Sequence, residues 1–424
     1  MWTDVGGMKL KQSNSVLSVT ANEFAVTDES PHTSPNLQFS FSTKFLMIYF
    51  DHAATTPLAP EVLEAMQPYM QDFYGNASSI HSIGRRSRTA IERARKIIAG
   101  HLNASIGEIF FTSCGTESSN MALNAVVRDW GVKHIVSSPI EHHCVFHTLD
   151  ALEKYDGLQK HAVKLLPNGH VDLKHLEEIL QSLQGEPTMV SLMHVNNEIG
   201  NILDLQKVSN LCEQYGAFLH SDTVQTWGFE HIDVQATKVN FLTGSAHKFH
   251  GPKGVGFIYV NADHPIQPFL FGGSQERNMR AGTENVYGIV GMAKALDLAY
   301  ANLEENRTHI LGLKNRMMTA LQQHIPGISF NGDAAGSSAY KILNVAFPPS
   351  IHADLLLLNL DIAGICASGG SACSSGVDKG SHVLQALQGV DSTTVNVRFS
   401  FSRYNTEEEV DKVVTKLKEI LKIA

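Results

Sequence analysis

Val239-Asn-Phe-Leu-Thr-Gly-Ser-Ala-His-Lys-Phe-His-Gly-Pro-Lys-Gly254 is a short apolar run that ends in a lysine and then a Gly/Pro turn. Residues 239–245 read as a buried strand, and the glycines and proline behind the lysine stop it. Three similar runs precede it: His134-Ile-Val-Ser-Ser-Pro-Ile140, Met189-Val-Ser-Leu-Met-His-Val195 and Ala217-Phe-Leu-His-Ser-Asp222. Periodic segments at 116–130, 173–183 and 205–215 separate them. In the first of these, Leu123, Val126, Val127 and Trp130 follow the i, i+3, i+4, i+7 spacing of a helix face. Strands alternating with helices predict an α/β fold, a mostly parallel sheet with helices on both faces.

Further along, residues 302–324 read as a long helix leading into a second unit. That unit mixes strands (344–347, 395–401) with a closing amphipathic helix (407–423). The expected organisation is a large domain at 62–301 and a smaller α+β domain made of 47–61 and 302–424. Residues 1–46 are rich in Ser, Thr and Asn without a sustained period, so they are expected to be poorly ordered. They have no long apolar h-region, and no Arg alongside Asp4, Glu23, Asp28 and Glu29, which excludes secretory and organellar signals. They read as an extension ahead of Met47.

Of the 424 residues, 43% are hydrophobic and 18% charged, an ordinary globular balance. The net charge of −9 argues against direct nucleic-acid binding, which needs basic clusters. No apolar run is long enough for a bilayer span. Five cysteines without a C-x-x-C pair fit a reducing, cytoplasmic setting rather than a disulfide framework, and no metal site is expected.

Polar clusters follow the predicted strands. Lys248 stands at a strand end, where a lysine of lowered pKa can form a Schiff base. Asp222 ends the preceding strand and can keep a pyridinium nitrogen protonated; Gln225 follows three residues later. Thr112-Ser-Cys-Gly-Thr116 opens a helix, so Gly115 and Thr116 can cradle an anion on free N–H groups. The bland alternative is a cap by Ser113 or Thr116. His142, behind another strand, can stack on a ring or move a proton. Asn197 ends the strand between. Ligands gather at the carboxyl ends of strands in open α/β sheets. Four clusters in that position make one constellation. Last, Ala367-Ser-Gly-Gly-Ser-Ala-Cys373-Ser-Ser-Gly376 sets a cysteine among Gly and Ser, with no core to bury it. An exposed thiol on a mobile loop is expected. Buried small hydrophobes are the default for Cys114, Cys144, Cys212 and Cys366.

From Tyr49 to the C-terminal helix the sequence resembles the cysteine desulfurases of the class V, fold-type I aminotransferase superfamily. The motifs that carry this are Tyr49-Phe-Asp-His-Ala-Ala-Thr-Thr-Pro57, Phe111-Thr-Ser-Cys-Gly-Thr-Glu117, Glu141-His142, His194-Val-Asn-Asn-Glu198, Ser245-Ala-His-Lys248, Arg280-Ala-Gly-Thr283 and Gly370-Ser-Ala-Cys373. The resemblance implies a fold-type I enzyme dependent on pyridoxal 5'-phosphate that converts L-cysteine to L-alanine. Lys248 would carry the cofactor. Asp222 would face the pyridine nitrogen, and Asn197 and Gln225 the phenolic oxygen. His142 would stack on the ring. Gly115, Thr116, Ser245 and His247 would hold the phosphate, with Thr283 reaching it from the partner of a homodimer. Arg398 and Asn76 would face the substrate. Cys373 would take the sulfur as a persulfide for an acceptor protein, such as an iron–sulfur scaffold whose cluster touches Cys373 transiently, or a tRNA-thiolation protein. Three departures stand out: Ala77 for a usual Pro, Cys114 for a usual Gly, and Cys144 two residues from His142. The alternatives are a selenocysteine lyase or another class V enzyme, and a non-enzymatic sulfur carrier. A transaminase needs no thiol, and a carrier needs no Lys248, Asp222 and His142.

Overall fold

The computed structural model describes residues 47–423 apart from 351, 354, 370–379 and 388–393. The readings made for residues 1–46 and for Cys373 therefore lie outside the described residues.

Strand β1 (Ile48–Tyr49) is followed by helices α1 (Pro60–Gln71) and α2 (Ser82–Leu102). Strands and helices then alternate: β2 (Ile109–Thr112), α3 (Gly115–Trp130), β3 (His134–Ser137), α4 (His143–Asp156), β4 (Gln159–Ala162), α5 (Leu173–Ser182), β5 (Thr188–Ser191), α6 (Leu205–Tyr215), β6 (Phe218–Ser221), β7 (Phe241–Ser245) and β8 (Gly256–Val260). The remaining elements are α7 (Val286–Ala301), α8 (Leu303–His324), β9 (Ser329–Phe330), β10 (Ile342–Phe347), α9 (Leu356–Ile362), β11 (Ile365–Cys366), α10 (His382–Ala386), β12 (Val395–Ser400) and α11 (Glu407–Leu421).

Seven strands form one sheet in the order β2-β8-β7-β6-β5-β3-β4. Strands β4, β3, β5, β6 and β7 run parallel. β8 is antiparallel to both β7 and β2. The expected mostly parallel sheet is present, with one reversed strand. Adjacent residues point to opposite faces: Val190 joins the core under α1, α2, α5, α6 and α7, while Met189 joins the core under α3 and α4. Each large side chain so buried contributes roughly 1.5–3 kcal/mol. The run at 134–140 leaves the sheet after Ser137, because Pro139 has no N–H to give a ladder.

A further apolar cluster surrounds the three-stranded sheet β12-β10-β9 and includes Phe50, Met317, Leu321, Phe347, Phe399 and Val413. Here residues 48–51 meet the C-terminal part: β1 pairs with β11, Ser400 N donates to Phe50 O at 2.7 Å, and Asp51 bridges to Ser400. That closure brings residues 51–56 and Arg398 of β12 to the carboxyl ends of the large sheet. Among the described residues no helix is long and apolar enough to cross a membrane.

Candidate active site

A cavity of about 240 Å³ opens at the carboxyl ends of the parallel strands. The order reverses beside β3 and β5, where α/β sheets bind ligands. Each wall comes from a separate strand end. After β2 the chain enters α3, whose N-cap is Cys114 with no side-chain cap bond. The capping role for Ser113 or Thr116 is therefore corrected: the Ser113 N–H is taken by Glu117 Oε2 at 2.8 Å, and the first-turn N–H groups at Gly115 and Thr116 keep no side-chain cap. Gly115 is required by close approach, since a Cβ there would sit 2.3 Å from Val224 Cγ2.

After β3 comes Glu141 and then His142, which caps α4 by accepting from Cys144 N at 3.2 Å on Nδ1. With Nδ1 as acceptor, the neutral ring carries its proton on Nε2. Burial lowers the His142 pKa, and the positive charge of Lys248 adds to this against the pull of Asp222. Glu141 is wholly buried. Burial and the Asp222 charge push its carboxyl well above the usual range, and Met193 N donates to its Oε1 at 2.8 Å.

After β6, Asp222 accepts from Val224 N at 3.0 Å and Thr243 Oγ1 at 3.3 Å on one oxygen. Its other oxygen, Oδ2, faces the Cys144 thiol at 3.7 Å. Gln225 donates from Nε2 to Ala53 O at 2.9 Å, while its buried Oε1 has no partner. After β7, Ser245 lines the cavity, and His247 Nδ1 lies 3.1 Å from Thr55 Oγ1. Burial first, then Lys248 and Lys253, lower the His247 pKa to about 4. Lys248 Nζ donates to Ala53 O and Ala54 O, each at 2.8 Å.

The far wall is Arg398, 1% exposed. Its Nη1 donates to Asn197 O and its Nη2 to Asp51 Oδ1, both at 2.8 Å, and its buried Nε has no partner.

The cavity thus gathers Gly115, Thr116, His142, Asn197, Asp222, Gln225, Ser245, His247, Lys248 and Arg398 from the expected set. It does not gather Asn76 or Thr283. Asn76 is exposed and accepts from Ser78 N at 2.8 Å. Thr283 is exposed beyond Arg280, which clasps Glu117 at 2.8 and 3.1 Å. That clasp rests on an unusual run: Glu276, Arg277 and Asn278 all have positive φ. Glu276, buried, holds the run by accepting from Arg95 at 2.7 and 2.9 Å and from Phe111 N at 2.7 Å. Of the cysteines read as buried hydrophobes, Cys212 is one, whereas Cys114 and Cys144 line the cavity. Sequence reasoning quoted residues 49–57 as a motif of the resemblance but gave residues 51–54 no role in the site.

The residues fit a phosphorylated pyridine. The uncapped α3 N-terminus suits a phosphate, Asp222 Oδ2, met by the weak Cys144 thiol donor at 3.7 Å, suits a ring nitrogen, and the orphaned Gln225 Oε1 suits a polar atom.

Residues 48–413 match the model of the aminotransferase class-V family. The chain belongs to that family. Relatives within it include a cysteine desulfurase IscS of Methanosarcina thermophila, 42% identical over 90% of this chain and 93% of the relative. Another, from Dictyoglomus turgidum, is 39% identical over 88% of this chain and 94% of the relative. Among solved structures, a NifS-like protein superposes with TM-score 0.81 at 36% identity, covering 89% of this chain and 99% of that one.

Proposed function

We infer that this family member is a pyridoxal-phosphate-dependent cysteine desulfurase. The observation that carries the reading is the pairing of Lys248 with Arg398 across one cavity, the latter with a buried, unpartnered Nε. An α-amino acid needs an amine-reactive lysine beside a carboxylate receptor, and a guanidinium edge suits a carboxylate. The kinship with proteins named cysteine desulfurase chooses cysteine among amino acids.

The cofactor, when bound, supplies an electron sink next to the substrate's Cα. Gly115, Thr116, Ser245 and His247 would hold its phosphate. Asp222 would hold its ring nitrogen, Asn197 and Gln225 its phenolic oxygen, and His142 its ring face. Lys248 would hold the cofactor through its amine and move the Cα proton. Arg398 would bind the substrate carboxylate, whereas Asn76 lies outside the lining of the cavity.

Cys373, as thiolate, forms a bond to the substrate sulfur. The C–S bond breaks, its electron pair stays with the carbon fragment, and a proton completes alanine. Cys373 keeps the sulfur as a persulfide. Other thiols suit this task less: burial raises the pKa of Cys144, Cys212 and Cys366, keeping them protonated.

The working form is proposed to be a cytoplasmic homodimer with Thr283 completing the partner's phosphate site. It divides into a large domain at 62–301 and a smaller one from 47–61 and 302–424, and it passes sulfur to an acceptor protein of iron–sulfur assembly. The deciding experiment measures alanine and sulfide together from L-cysteine. With dithiothreitol present to reduce the persulfide and release its sulfur as sulfide, equal amounts, requiring the cofactor, are expected. Pyruvate, or no product, would overturn the reading.

A further inference from the structure

Residues 51–56 form one turn, with Ala54 N and Thr55 N both donating to Asp51 O at 3.0 and 3.4 Å. This turn touches both chemical ends of the cavity. On one side its Ala53 and Ala54 carbonyls accept the Lys248 amine, and Thr56 Oγ1 donates to His247 O at 2.9 Å while accepting from His250 N at 2.7 Å. On the other side, Asp51 Oδ1 accepts from Arg398 Nη2 at 2.8 Å and from Ser368 Oγ at 2.9 Å.

A guanidinium is a planar fork, so two fixed contacts set its plane. Asn197 O and Asp51 Oδ1 each take one terminal nitrogen of Arg398. The Nε–H stays buried without a partner on a residue that lines the cavity. In an α-amino acid the nitrogen and the carboxylate are separated by a single carbon. A site that binds both must therefore hold its amine-reactive group and its carboxylate receptor at a set separation.

Resting on the function inferred above, we propose that Asp51 is a positioning residue that makes this turn a gauge for α-amino acids. It fixes the plane of Arg398, and through residues 52–54 it ties that plane to Lys248. Asp51 touches no substrate. It selects for a carboxylate by holding the donor that receives one.

The test uses the full chain loaded with pyridoxal phosphate. L-Alanine and ethylamine, which lacks the carboxylate, are titrated against the visible absorbance of the bound cofactor. Asp51→Ala should weaken L-alanine at least tenfold, about 1.4 kcal/mol, and leave ethylamine within about twofold. The KM for L-cysteine should rise while kcat stays within about threefold. Asp51→Asn keeps an acceptor oxygen and should restore most of the L-alanine affinity. Ser368→Ala, which leaves Asp51 in place with one donor fewer, should weaken L-alanine about threefold, and it decides the matter if Asp51→Ala does not fold. Unchanged or tighter L-alanine binding in the variants would overturn the proposal. Equal weakening of both amines would also overturn it, as a merely structural role. A wild-type chain that takes the cofactor but responds to neither amine would instead overturn the functional reading itself.

Discussion

The Cys144 thiol lies 3.7 Å from Oδ2 of Asp222 and points its proton at the carboxylate. Burial, reinforced by the Asp222 charge, raises the thiol's pKa well above its ordinary value, so Cys144 is a neutral donor. Asp222 supplies the carboxylate that lines the cavity, while burial pushes the carboxyl of neighbouring Glu141 well above its usual range. Removing the charge should cost far more than removing the thiol. Asp222→Asn is expected to lower turnover at least about a thousandfold, roughly 4 kcal/mol, with weaker cofactor retention on gel filtration. Cys144→Ser should keep most of both. An Asp222→Asn variant with near-normal alanine production would show that the carboxylate does not govern the cofactor's electronics.

Lys248 is placed by two carbonyls, Ala53 O and Ala54 O. Lys248→Ala should abolish turnover, and borohydride reduction of the loaded wild-type chain should fix the cofactor on the peptide containing Lys248. Peptide mapping checks this. Label on Lys341, the wholly buried lysine whose amine lies 3.4 Å from the centre of the Phe229 ring, would move the covalent site.

Much of this site was legible because its strands are fully buried and end in polar residues. β5, β6 and β7 stand where apolar runs stop at Asn197, Asp222 and Lys248. Other parts were not. β4 is Gln159-Lys-His-Ala162, a half-exposed edge strand with no apolar signal. β8, Gly256–Val260, is apolar but lies directly behind the Gly/Pro turn, and nothing in its own residues says that it runs backwards. The Asp51–Arg398 pair spans 347 positions, and no local pattern encodes a contact between segments so far apart in sequence.

Buried histidines give the fold a pH limit. Burial lowers the pKa of His52 to about 3 and those of His194, His220, His247 and His250 to about 4, from 6.5. Below pH 6.5 the unfolded chain binds protons that the native chain refuses, so stability falls as pH drops from 6.5 towards 4. Glu141 and Glu230, their pKa values raised by burial, work in the opposite sense but are two groups against these five. The free energy of unfolding, from urea midpoints, should fall by more than about 1.4 kcal/mol per pH unit between pH 6 and 4.5, the slope of a single proton. A flat profile would mean that these imidazoles are charged in the native state.

Replacing Cys373 by serine should separate substrate binding from sulfur transfer. The hydroxyl is close in size to the thiol but a far weaker nucleophile towards sulfur. The substitution leaves Lys248, Asp222 and Arg398 untouched. The variant should therefore fold, hold the cofactor and still change absorbance when L-cysteine is added. Alanine release in the presence of dithiothreitol should drop at least about a hundredfold, roughly 2.7 kcal/mol of transition-state stabilisation, and mass spectrometry should find no persulfide on the protein. Two thiols line the cavity itself, Cys114 and Cys144, and they are the competitors. Their serine variants should each retain most activity; for Cys144 the raised pKa leaves little thiolate to attack with. Near-normal alanine release from Cys373→Ser, with an inactive Cys114→Ser or Cys144→Ser, would place the sulfur acceptor on the cavity floor instead.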